Sequence, residues 1–105
     1  MSQKPMSDQE ENKALSATAM FGAEAEKVLN NDAYVFATTS IKGRIIAELA
    51  TIPILGDNDK PLELVRSLQS ITKIQDELEE IMQEGKVAER SLLDRIKNPN
   101  RYKRV

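Results

Sequence analysis

The chain has no cysteine, no histidine and no tryptophan among its 105 residues, and only four aromatic side chains: Phe21, Tyr34, Phe36 and Tyr102. Without cysteine there is no disulfide framework, no thiolate metal site and no thiol nucleophile. Without histidine the chain lacks the commonest acid-base group near neutral pH and the commonest metal ligand. No stretch approaches the roughly 20 apolar residues that cross a bilayer. The start of the chain, MSQKPMSDQEEN, has no apolar centre and does not read as a signal peptide. These absences lead to the expectation of a cytoplasmic protein with no catalytic residues, no cofactor and no metal, an interaction protein rather than an enzyme.

What is present is aliphatic and charged: hydrophobic residues make up 40% and Asp, Glu, Lys and Arg 30%. A length of 105 residues allows one domain, and so short a chain buries a modest share of its unfolded surface. Aliphatic residues spaced along a few helices pack helix seams better than they fill a globule. Self-association is therefore the expected source of further burial. The net charge of −2 hides an asymmetry. Residues 1–85 carry eight basic against fifteen acidic groups, whereas residues 86–105 carry seven against two. The chain is an acidic body with a basic end.

The pattern predicts an all-α fold: a three-helix arrangement with an antiparallel helical hairpin, a long C-terminal helix and an oligomeric state. Residues 1–7 read as a disordered leader, 8–97 as the helical domain and 98–105 as a basic tail. The first helix begins near a Ser7 or Asp8 cap and runs to about Leu29, with Leu15, Ala19, Gly22, Ala25 and Leu29 on its apolar side. Those residues are small, so this face works only where another backbone comes close. Asn30, Asn31 and Asp32 break the pattern, and Asn31 or Asp32 caps the second helix, about 33–52.

There Tyr34, Ala37, Ile41, Ile45, Leu49 and Ile52 recur at helical spacing, with Phe36 and Ile46 widening the stripe. Val35–Thr39 has β-type composition, but the period of 3.6 runs through it. Pro53 stops this helix, and the apolar pair Ile54 and Leu55 is expected to tuck under the turn. The third helix carries Leu64, Leu68, Ile71, Ile74, Leu78 and Ile81, with Asp59 as its expected cap and Pro61 in its first turn. Gly85 leaves two readings open. Either it terminates the helix, or the face continues through Ala88, Leu92 and Ile96 in one helix of nearly forty residues. Asn98 and Pro99 then end it.

Two features invite a site. Asp76, Glu77, Glu79, Glu80 and Glu84 form an acidic run, but on a helix they diverge, unlike the converging oxygens of a cation loop, and they read as a solvated face. The basic residues Arg95, Lys97, Arg101, Lys103 and Arg104, with Tyr102 available to stack, suit nucleic acid or an acidic protein partner. The acidic run could equally pair with this tail, within the chain or between chains. Gly43 sits between Lys42 and Arg44 without the strand-loop-helix setting of a phosphate loop. The serines have no histidine or cysteine partner. The expected packing and oligomer face is Ile41, Ile45, Leu49, Leu64, Leu68, Ile71, Ile74, Leu78 and Ile81.

One resemblance adds to this reading. The run from Gly22 to Asn31 (GAEAEKVLNN), a helix ending at Ile52 and Pro53, the spacer DNDKP from Asp57, the run LVRSLQSITKIQDEL from Leu64 and GKVA from Gly85 resemble small helical proteins of the head and packaging gene region of tailed bacteriophages. The resemblance covers about residues 22–90 and is one of helix and turn pattern. It implies a virion-assembly, scaffolding or packaging accessory, located in the host cytoplasm or the virion. Rival readings are a nucleic-acid-binding accessory that uses the basic tail, and a small inhibitor of a host enzyme.

Overall fold

The structure, a computed structural model, describes residues 7–53 and 59–99. Three helices account for nearly all of them: α1 (Asp8–Leu29), α2 (Asp32–Thr51) and α3 (Asp59–Lys97). The starts follow from side-chain caps. Ser7 Oγ accepts from the Glu10 amide at 3.2 Å, and Asn31 Oδ1 accepts from the Tyr34 amide at 2.9 Å. Each cap satisfies one of the amides that a helix start leaves without an internal partner. Val35–Thr39 is helical, its β-branched residues overridden by the run they sit in. Asn30 and Asn31 alone link α1 to α2, their amides bonding back to Glu26 and Val28 carbonyls at 3.0 and 3.1 Å. Asp59 is the first helical residue of α3 rather than its cap, and Pro61 lies in the first turn. Ile54 and Leu55 lie outside the described residues.

Gly85 does not end α3. The helix passes through it with no positive φ and continues to Lys97, 39 residues or about 58 Å in all. Its end comes at Asn98, whose amide donates to the Asp94 carbonyl at 2.8 Å, followed by Pro99.

The main seam joins α1 to the C-terminal half of α3, and the two run antiparallel. Glu11 meets Arg95 near one end, and Gly22 meets Gly85 further along. The α1 face expected from sequence is the one used: Gly22 and Ala25 are buried, while Leu15, Ala19 and Leu29 are half-buried. The expected pairing of α2 with α3 as the principal hairpin is not what carries the fold. α2 touches α3 through buried Ile45, a hydrogen bond from Lys42 Nζ to Gln75 Oε1, and a 3.0 Å ion pair between Glu48 and Lys60.

The shape follows from this arrangement. The Cα radius of gyration is 21.4 Å, against about 13 Å for a compact domain of this length. The principal-axis extents are 70 × 39 × 15 Å, so the molecule is long and flat. Among the described residues the helices lie in one layer, with no second layer over either side.

Candidate functional site

Where backbones cross, small residues are a physical requirement. A Cβ built on Gly22 falls 2.6 Å from the Gly85 Cα and 3.1 Å from the Ile81 carbonyl oxygen. A Cβ on Gly85 falls 2.5 Å from the Gly22 Cα and 3.1 Å from the Thr18 oxygen. The two Cα atoms are thus no more than about 4 Å apart, one such gap plus a C–C bond. Ala25 and Ala88 continue the close approach on either side. Contact of this kind gains dispersion energy along two backbones but removes little apolar area from water. Toward the end of the seam, Arg95 Nη2 donates to Glu11 Oε2 at 2.9 Å, with both side chains about four-fifths covered.

Of the residues expected to form the packing face, Ile45 is buried, and Leu49, Leu64, Leu68, Ile71, Leu78 and Ile81 are half-buried. Ile41 and Ile74 are on the surface, Ile74 at 59% exposure. At this level the inward positions are taken by Lys42 and Gln75, which bond to each other. The spacing from Ile71 to Leu78 can be divided as three and four or as four and three, and both place the middle residue on the same side. Hydropathy favours Ile74, whereas the polar pair with α2 selects Gln75. Beyond Gly85 the stripe runs through Ala88, Leu92 and Arg95 rather than ending on Ile96, which is 75% exposed.

Arg95, read from sequence as a contact for nucleic acid or an acidic partner, is turned onto α1 by its pairing with Glu11. Lys97 is exposed, and Arg101, Tyr102, Lys103 and Arg104 lie outside the described residues. The residues of the acidic run, Asp76 to Glu84, are exposed along α3. Among the described residues no group of three or more Asp, Glu, His or Cys stands together to hold a metal ion, and no helix is long and apolar enough to cross a membrane.

Among the described residues apolar surface stays open in several places, two of them along helix faces. One is a groove of about 420 Å³ along the α1–α3 seam, floored by Phe21, Val28, Leu78 and Ile81 and edged by Glu24 and Glu84. The other is the side of α2 turned away from α3. Opposite buried Ile45 lie Phe36, Ser40, Gly43, Ala47 and Ala50, at spacings of four, three, four and three, with exposed Val35 and Ile46 beside them. Phe36 is 74% exposed, and a Cβ on Gly43 would meet nothing within 4 Å. This face escapes a search for large apolar residues because its members are small. Its signal is instead where the charges fall: Lys42 and Glu48 both point toward α3. No family model, no curated protein and no solved structure matches this chain.

Proposed function

We propose that this chain is a non-enzymatic structural protein that completes its fold by self-association through apolar helix faces. The supporting observation is surface area. The chain leaves 8632 Å² accessible, whereas a compact monomer of 11.8 kDa leaves about 5,900 Å². The excess of about 2,700 Å² is on the scale of what each partner covers in an obligate homodimer, whose interfaces total roughly 2,000 to 5,000 Å². In such an assembly α2 closes on α3 as an antiparallel hairpin, and Ile41 and Ile74 join the covered surface. The resemblance over residues 22–90 gives this assembly a setting, as an accessory in the assembly, scaffolding or packaging of a tailed-phage virion.

The test is light scattering on the size-exclusion peak at about 20 µM. The expected molar mass is an integral multiple, two or more, of the 11.8 kDa chain. A well-folded species of single-chain mass sinks the reading.

A further inference from the structure

We infer that the outer face of α2 is the interface between two copies of this chain, paired antiparallel about a two-fold axis near Gly43. The inference rests on the self-association just proposed and names the surface that carries it. A two-fold interface sets a patch against itself, so the patch must be self-complementary in charge and in shape.

Charge separates the α2 face from the α1–α3 groove. The α1–α3 groove is edged by Glu84, with Glu80 nearby along α3, and by Glu24, which pairs with Lys27 at 3.1 Å, so two copies meeting there would bring the α3 carboxylates together. α2 is neutral, Asp32 and Glu48 balancing Lys42 and Arg44. Lys42 and Glu48 are engaged with α3. Between Ala33 and Ala50 the outward positions are Phe, Ser, Gly and Ala, and Arg44 stands at the rim, where it stays in water. Asp32, at the start of the helix, is the one charged group on this side; an exposed helix side with so little charge is the reverse of ordinary helix amphipathicity and suits a side that is covered.

Shape agrees. Gly43 lies near the middle of the helix, and Phe36 and Ala50 each stand seven residues from it. In an antiparallel pair centred on Gly43, the ring of Phe36 falls over Ala50 of the second copy, and Ser40 falls near its Ala47. Large meets small at both ends, and at the centre the backbones approach as Gly22 and Gly85 do within one chain. The open hollow beside Phe36, lined by Val35, Thr39 and Ser40 with Asp32 at its edge, receives part of the partner helix.

The absence of native cysteine makes a direct test available. In Gly43→Cys the two thiols of a dimer lie within the Cα separation of about 4.4–6.8 Å that a disulfide spans, so mild oxidation yields a covalent dimer. Ser16→Cys, exposed on α1, yields none at the same concentration. Gly43→Glu has open space for its side chain within one chain. It retains its helical circular dichroism while its molar mass falls to that of a single chain. Ala47→Glu does the same, so a folding defect peculiar to one variant cannot imitate the result. If the unmodified chain is multimeric while both glutamate variants keep that mass and Gly43→Cys fails to cross-link, the α2 interface is wrong and self-association stands. If the unmodified chain is a monomer, both are wrong.

Discussion

Gly85→Ala unfolds at a lower temperature than the unmodified chain. In the interior of an exposed helix, alanine stabilises by about 0.5–1 kcal/mol relative to glycine, because glycine loses more backbone freedom on folding. At Gly85 the methyl would stand 2.5 Å from the Gly22 Cα, and the obstacle is backbone rather than a side-chain end that can rotate away. Relief requires separating α1 from α3, and overpacking of this kind costs about 1–3 kcal/mol. The net is a loss of about 1–2 kcal/mol, or roughly 5–15 °C in midpoint for a chain of this size. Gly22→Ala behaves alike, and Gly85→Leu detaches α1 altogether. Thermal unfolding followed by circular dichroism gives the signs. A stabilised Gly85→Ala would contradict the glycine crossing.

The second large effect concerns the ion pair toward the other end of that seam. Arg95→Leu leaves Glu11, four-fifths covered, beside an apolar side chain, and is expected to cost about 2 kcal/mol. Arg95 also lies within reach of Asn12 Oδ1, at 3.4 Å, so its loss leaves two acceptors without this donor. Leucine at both positions 11 and 95 removes the unmatched charge and extends the seam from Leu15 and Leu92. Such paired replacements are often neutral or better, so the double variant is expected within about 1 kcal/mol of the unmodified chain. A double-mutant cycle by urea unfolding measures the coupling, at about 1–3 kcal/mol. Strictly additive single changes would mean that the pair contributes nothing as a pair.

Both predictions concern residues whose importance a sequence shows only in part. Helix starts were legible because Ser7 and Asn31 are short acceptors placed just before a periodic run, and the ends because Asn98 and Pro99 stop one. The contact face of α1 was legible too, down to the need for a neighbouring backbone. What sits against it was not, since Gly85 on α3 is as consistent with a helix end as with a crossing. The strongest aliphatic stripe, Leu64 to Ile81, suggested the main pairing with α2, because hydropathy weights large side chains. The seam that forms uses glycine and alanine, whose contribution comes from close approach rather than from area. Which of Ile74 and Gln75 faces α2 was not legible for a related reason: nothing local distinguishes them until Lys42 is opposite. The outer face of α2 could have been found by asking where the charges are absent rather than where the leucines are.

The single-layer shape ties these strands together, since a fold with so much uncovered surface is stabilised by what covers it. Stability that depends on a second copy depends on concentration by mass action. The most direct measurement is therefore the unfolding midpoint of the unmodified chain between about 1 and 100 µM. A hundredfold change corresponds to about 2.7 kcal/mol per assembly, which at this size predicts a rise of several degrees. A midpoint that stays constant across that range would contradict a fold completed by self-association.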